Sequence, residues 1–169
     1  MIQRPHRILL VAAAAVLLLA GAAASPWQAR LLYNPSASAP RGWYLRKPLH
    51  ALRPGMLVLA TLPAPVAGHA ERRGYLPRTV PLLKRVGALA PQHVCVRGGR
   101  VRIDGRVVGG VRSRDGSGRP LAPWPGCRQL RPDEVFLLGT GSAASFDSRY
   151  FGPLPRTAVA GQAVPLWTW

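Results

Sequence analysis

The chain has 169 residues, with 23 Lys or Arg against only 6 Asp or Glu, so its formal net charge at pH 7 is +17. This length fits one domain and a short additional segment. The positive charge favours attraction to an anionic membrane surface over a solvated basic surface without a partner. Nucleic-acid binding is not expected, because the arginines are scattered and aromatic residues do not alternate with them.

An uncharged run of Ile, Leu, Val, Ala and one Gly occupies residues 8–24 and follows Arg4 and Arg7. A membrane-spanning helix needs about 17–25 such residues. Because positive residues stay on the cytoplasmic side, the rest of the chain is expected to be exported. A cleaved signal peptide is the alternative, since small residues at 22–25 resemble its cleavage site. The predicted segments are a cytoplasmic tail (1–7), a transmembrane anchor (8–25) and a periplasmic domain (26–169).

Short strands joined by turns are predicted for the rest of the chain, in which the 18 Pro and 18 Gly are widely spread. Asp104-Gly105 lies between two such strands and is a strong hairpin signal. Residues 26–35 are predicted to be a connector, 63–81 an exposed insertion and 109–126 a long surface loop. The predicted strands are 42–46, 56–61, 82–89, 93–97, 100–103, 106–108, 134–138 and 158–167.

Cys95 and Cys127 are the only cysteines. In an exported domain, two cysteines are most simply explained as one disulfide. Closing this loop would stabilise the fold by about 3–4 kcal/mol on the chain-entropy model. Two cysteines without a histidine cluster do not form a structural zinc site. No metal or nucleotide motif is present, so no cofactor is expected, and the nucleophile elbow of Ser-His-Asp hydrolases is absent.

Lys84 is one of only two lysines among the 23 basic residues; the other is Lys47. Unlike arginine, lysine can lose its proton near neutral pH. In the predicted strand 82–89, Lys84 shares a face with Leu82 and Val86, so burial would lower its pKa and make it a base. The alternative is that Lys84 is an ordinary lysine that the arginine-rich composition happens to retain.

Ser38 is the candidate partner of Lys84. Small residues surround it, so a peptide could approach its hydroxyl, and Pro40 and Gly42 would turn the chain away from the next strand. By composition alone, however, this segment also fits an ordinary Ser/Pro linker that follows a membrane anchor.

Three sequence blocks follow the apolar segment in this order: SASAPRGWY (36–44), LKRV (83–86) and SFDSRYFG (145–152). Together they resemble the Ser/Lys signal peptidases of bacterial inner membranes. The first block and the cysteine pair are most similar to the TraF-type conjugative-transfer peptidases. Ala39 stands where general signal peptidases have Met, which also favours the conjugative branch.

The resemblance implies a mostly β fold of antiparallel sheets with a barrel-like core, preceded by one transmembrane helix. It also implies that Ser38 is the nucleophile and Lys84 the general base. Ser36 would be a side-chain donor to the oxyanion, and Ser145 would orient the lysine amine. Asp147 and Arg149 are expected to pair near the site.

The implied function is that of a membrane-anchored serine endopeptidase in the bacterial inner membrane, with its catalytic domain in the periplasm. It would process a pilin precursor for conjugative transfer, as part of a type IV secretion system, and could also cyclise the product. A general signal peptidase that removes export signals is the second possibility. The third is a non-catalytic basic scaffold that contacts other components of a secretion or mating apparatus.

Overall fold

A computed structural model describes residues 4–24, 30–142 and 144–169. The chain divides into two units, residues 1–30 and 31–169. In the first unit, helix α1 (Arg4–Ala24) forms where the anchor was predicted, and the last residue of that prediction, Ser25, lies outside the described residues. Across the described ranges, no helix is both long and apolar enough to cross a membrane.

The second unit is mostly β, with two antiparallel sheets. The larger sheet has the order β1-β2-β11-β3-β4-β9-β10 and curls into a half-barrel, and the smaller sheet has the order β7-β6-β5-β8. The strands are β1 (Leu31–Asn34), β2 (Gly42–Lys47), β3 (Leu57–Ala60), β4 (Leu82–Leu89), β5 (His93–Arg97), β6 (Arg100–Ile103), β7 (Arg106–Gly110), β8 (Cys127–Gln129), β9 (Glu134–Leu138), β10 (Leu154–Pro155) and β11 (Val159–Thr168). The helices are α2 (Ala64–Arg72), α3 (Ser148–Phe151) and a 3₁₀ turn (Arg156–Ala158).

All eight predicted strands are present, and four of them have the predicted bounds: β4, β5, β6 and β9. The hairpin between β6 and β7 turns at Asp104 and Gly105, both of which have positive φ. This is the backbone that a two-residue Asp-Gly turn requires.

Six elements differ from the prediction. Strand β1 lies in the predicted connector, and helix α2 occupies part of the predicted insertion. The other four, β8, β10, α3 and the 3₁₀ turn, were not predicted. Strands of two to four residues are too short for alternation to be recognised, because they form through pairing with longer neighbours. Helix α2 has nine residues and contains Gly68, so its sequence pattern is weak.

Strand β4 is central to the larger sheet and pairs with β3 and β9. Its burial alternates as predicted, with Leu82, Lys84 and Val86 buried while Leu83 and Arg85 are partly exposed. Val58, Val86, Val135 and Leu137 form the core beside this strand. The amine of Lys84 therefore lies on the buried face of a strand that pairs with β3 at Lys84 and with β9 from Arg85 onwards.

Candidate active site

A cleft of about 690 Å³ contains both Ser38 and Lys84. One part of its wall is the loop between β1 and β2, and another is the start of β4. The residues that follow α2 and the segment before α3 complete it. Its lining is largely apolar, and its polar residues include Ser36, Ser38, Lys84 and Ser145.

Asn34 organises the loop that carries Ser38. It is the last residue of β1 and is 8% exposed. Its Nδ2 donates hydrogen bonds to the carbonyl oxygens of Ser36, Ala39 and Pro40, at 3.0, 3.2 and 3.0 Å. Its Oδ1 accepts from the backbone N–H of Ser36 at 3.1 Å. These bonds close the loop into a compact turn, because one side chain binds backbone groups both before and after Ser38.

Ser36 and Ser38 lie side by side in this loop, with their Oγ atoms 2.9 Å apart. The Ser36 hydroxyl donates to Asn34 Oδ1 at 3.0 Å. Since each hydroxyl has one proton, the Ser38 hydroxyl donates to Ser36 in this arrangement. Ser38 is half-buried whereas Ser36 is exposed.

Lys84 is only 3% exposed, and its Nζ donates a hydrogen bond to Ser145 Oγ at 2.7 Å. Burial lowers the pKa of the amine to about 8, against a raising effect of Asp147 and a further lowering effect of Arg149. A buried ammonium loses hydration, so the neutral amine is favoured. Among the described residues, Lys84 Nζ has no hydrogen bond to Ser38 Oγ, although both groups line the cleft.

Asp147 and Arg149 form a buried, two-pronged ion pair directly after Ser145. Arg149 Nε donates to Asp147 Oδ1 at 2.8 Å, and Arg149 Nη2 donates to Asp147 Oδ2 at 2.7 Å. Both side chains are at most 5% exposed. Asp147 is the N-cap of the short helix α3, and Arg149 lies within this helix.

Two glycines let the segment before Ser145 approach its neighbours. The Gly139 N–H donates to Asp147 Oδ2 at 2.7 Å, and a Cβ at this position would collide with the Ser145 side chain. A Cβ at Gly141 would collide with the carbonyl oxygen of Ala37 in the Ser38 loop. Glycine is thus required here for close approach, which lets this segment pack against both the Ser145 side chain and the Ser38 loop.

The structure therefore brings together Ser36 with Ser38, and Lys84 with Ser145, in one cleft. The sequence prediction assigned no role to Asn34 or to Tyr75, which also lines the cleft. An Asn followed by Pro and Ser is a recognisable turn signal and could have identified Asn34. The predicted disulfide between Cys95 and Cys127 is present, and it joins β5 to β8 in the smaller sheet.

Comparison with known proteins identifies the family of this chain. The family model described as "Signal peptidase, peptidase S26" matches residues 2–169. A probable conjugal transfer protein TraF of Sinorhizobium fredii is 34% identical over 159 residues, covering 88% of this chain and 83% of the relative. The conjugal transfer protein TraF of Agrobacterium tumefaciens is 36% identical over 145 residues, covering 80% and 81%.

A plasmid transfer protein TraF of Escherichia coli is also similar, with 30% identity over 156 residues that cover 87% of this chain and 88% of the relative. The family match extends over nearly the whole sequence, including the cleft and both sheets. The chain therefore belongs to the signal peptidase family, peptidase S26.

Proposed function

We propose that this protein is a serine peptidase in which Ser38 is the nucleophile and Lys84 the general base. One observation carries the proposal: a buried lysine amine with a pKa of about 8 shares a cleft with a half-buried serine hydroxyl. A base with a pKa near the working pH is suited to proton transfer in both directions. Membership of a peptidase family supports the same chemistry.

In the proposed reaction, neutral Lys84 takes the proton of Ser38 Oγ while this oxygen attacks the substrate carbonyl carbon. The resulting oxyanion would accept hydrogen bonds from the Ser38 N–H and the Ser36 hydroxyl. The Lys84 ammonium then gives its proton to the departing amine. Water releases the acyl group from Ser38 by the same steps in reverse. For this reaction, the Ser36 hydroxyl must rotate away from Asn34 Oδ1, its present acceptor, and donate to the substrate oxyanion instead.

The start of β4 supports an extended peptide as the substrate. Leu82, Leu83 and Lys84 pair with β3, whereas pairing with β9 begins only at Arg85. Within the described residues, the second edge of this segment has no neighbouring strand, and the segment lines the cleft. An extended chain could add to that edge through main-chain hydrogen bonds.

We extend the proposal to a pilin precursor of a conjugative apparatus as the natural substrate. It is supported by relatives named conjugal or plasmid transfer proteins. Incubation with such a precursor and, separately, with a preprotein that carries an export signal would distinguish this substrate from that of a general signal peptidase. Mass spectrometry of the product would also reveal whether its ends are joined.

The proposed dyad is tested by the rate at which the protein hydrolyses p-nitrophenyl esters of short, alanine-rich peptides. We expect ester hydrolysis and acyl-enzyme formation by wild-type protein, with both lost in Ser38→Ala. Ser142→Ala is the matched control, since this serine lines the same cleft and has no role in the proposed reaction. Acylation that persists in Ser38→Ala would rule out Ser38 as the nucleophile.

The proposed location is the surface of an inner membrane. Tyr33, Trp43, Trp167 and Trp169 form an exposed aromatic patch on β1, β2 and the end of β11, with Tyr33 and Trp43 ring centroids 5.1 Å apart. Trp167 is 72% exposed. Tryptophan and tyrosine prefer the boundary between lipid and water, and the positive charge adds attraction to anionic headgroups.

Co-sedimentation with phosphatidylglycerol vesicles tests this location. We expect the vesicle-bound fraction of the protein to decrease strongly in Trp167→Ala/Trp169→Ala. Trp124→Phe is the matched control, because Trp124 is partly buried against Phe136 and Gly152 and lies outside the aromatic patch. Equal vesicle binding by the double variant and wild type would contradict a role for the patch.

A further inference from the structure

One wall of the cleft consists of residues that follow helix α2. Tyr75, Leu76, Pro77, Val80 and Pro81 all line the cavity. The Tyr75 ring lies 5.0 Å from the ring of Phe146, measured between centroids. Phe146 directly follows Ser145, whose Oγ accepts the hydrogen bond from Lys84. The Tyr75 ring is therefore packed against the segment that orients the lysine.

The hydroxyl of Tyr75 is held on the other side by Asp115, a residue of the loop between β7 and β8. Tyr75 Oη donates to Asp115 Oδ2 at 2.5 Å. The Asp115 carboxylate also accepts from Arg119 Nε at 2.8 Å and from the backbone N–H of Ser117 at 2.9 Å. Its side chain is only 4% exposed. The hydrogen bond from Tyr75 contributes most to lowering the pKa of Asp115, so the acceptor remains a carboxylate.

Tyr75 is thus held between Phe146 and Asp115, an arrangement that we call the Tyr75 clamp. Two arginines add further contacts to it. Arg119 Nη2 donates to the carbonyl oxygen of Arg73 at 2.8 Å, and Arg73 Nη1 donates to the carbonyl oxygen of Pro120 at 2.8 Å. The Arg119 guanidinium also lies over the Tyr75 ring, 5.6 Å from its centroid. Two segments about 40 residues apart are thus joined at the ring and hydroxyl of Tyr75. A ring fixed at both ends cannot move aside easily when a bulky group enters the cleft.

We propose that Tyr75 is a specificity-determining residue, whose clamped ring limits the size of the substrate side chain that the cleft accepts. The inference rests on the proposed peptidase function and adds a residue that contacts substrate without taking part in proton transfer. Because the Tyr75 hydroxyl is already engaged by Asp115, the ring face and edge are what a substrate would meet. An apolar wall of this kind discriminates by size, by roughly 10-fold or more for each group that does not fit.

The test measures kcat/KM of the full chain for a peptide series. Each peptide carries Ala, Leu or Phe in turn at one of the three positions before the scissile bond. We expect wild-type protein to prefer Ala, and Tyr75→Ala to raise the Leu-to-Ala or Phe-to-Ala ratio about 10-fold at one position. Tyr75→Leu is the second variant, which keeps an apolar side chain against Phe146 if the alanine variant does not fold.

Arg78→Ala is the matched control. Arg78 belongs to the same segment and forms an exposed ion pair with Glu71. The Leu-to-Ala and Phe-to-Ala ratios of kcat/KM in this variant should therefore equal those of wild type. Tyr75→Phe keeps the ring but removes the bond to Asp115, and we expect a smaller ratio change than in Tyr75→Ala. If Tyr75→Ala and Tyr75→Leu still cleave the peptides with unchanged ratios, the inference about Tyr75 is overturned, while the proposed peptidase function is not. A wild-type protein that cleaves none of the peptides would overturn the proposed function and this inference together.

Discussion

The two sheets of the second unit are stabilised in different ways. The larger sheet and its adjoining loops bury Asn34, Lys84, Asp147, Ser148 and Arg149. In the smaller sheet, the buried strand residues in the described part of the chain are Val94, Val96, Val101 and Ile103. This sheet adds a disulfide between β5 and β8.

This contrast separates the part of the fold that holds the proposed catalytic residues from a part that has an apolar core and a disulfide. Burying charged groups is unfavourable unless each finds a partner, and replacing such groups with apolar residues often stabilises a protein. The larger sheet retains them around the cleft, where burial lowers the pKa of the Lys84 amine and suits it to its proposed role as a base. The smaller sheet carries none of the proposed catalytic residues. Its apolar core and its disulfide stabilise the folded state.

The largest expected effect is the loss of activity in Lys84→Arg. Arginine keeps its proton at working pH and cannot accept one from Ser38, so ester hydrolysis should fall about 10³-fold or more. Lys47→Arg is the matched control, since Lys47 is the other lysine and is exposed at the end of β2. Substantial hydrolysis by Lys84→Arg would contradict the proposed base.

The next largest effect is expected on the free energy of unfolding, when one partner of the buried Asp147–Arg149 ion pair is removed. Asp147→Ala leaves the Arg149 guanidinium buried without its carboxylate, and the free energy of unfolding should decrease by about 3–5 kcal/mol. Urea denaturation measures the change. Asp133→Ala is the control: Asp133 is 71% exposed and pairs loosely with Arg131, so its effect should stay below about 1 kcal/mol. Equal effects in both variants would show that the buried pair is not structurally important.

Removing the disulfide should weaken the fold without changing the chemistry. The double variant Cys95→Ala/Cys127→Ala should lose about 3–4 kcal/mol of unfolding free energy, because the unfolded chain is no longer closed into a loop. Where the variant is folded, the rate of Ser38 acylation should match that of wild type. A selective loss of acylation in folded protein would mean that the smaller sheet also shapes the site.

The smallest expected effect is the pH dependence of the rate. With a pKa of about 8, the neutral fraction of Lys84 rises from about a tenth at pH 7 to about nine tenths at pH 9, so the rate should rise roughly 10-fold. In the unfolded chain the lysine has its ordinary pKa near 10.5, so that chain binds more protons between pH 8 and 10.5. The Lys84 contribution to stability therefore increases with pH across this window.

Lys84→Met removes the titrating group and is the control for this prediction. The pH slope of its unfolding free energy between pH 8 and 10.5 should be smaller than that of wild type. A wild-type rate that is flat between pH 7 and 9 would indicate that deprotonation of this amine does not limit the reaction.

The sequence by itself determined much of the strand pattern and the buried position of Lys84. The alternation across 82–89 and the Asp-Gly turn between β6 and β7 depend on neighbouring residues, so they can be recognised without tertiary contacts. The pairing of the two cysteines was also predictable, because only one intramolecular disulfide is possible.

Only the tertiary structure decided how the cleft is assembled. The family resemblance implied that Ser145 contacts Lys84, 61 residues away in the sequence, but the register of β4 with β9 and the close approach at Gly139 that bring them together are seen only in the structure. Tyr75 meets Asp115 across 40 residues, between two segments without regular periodicity. Such contacts depend on how segments that are far apart in the sequence pack together. Local helix and strand preferences carry no information about this packing.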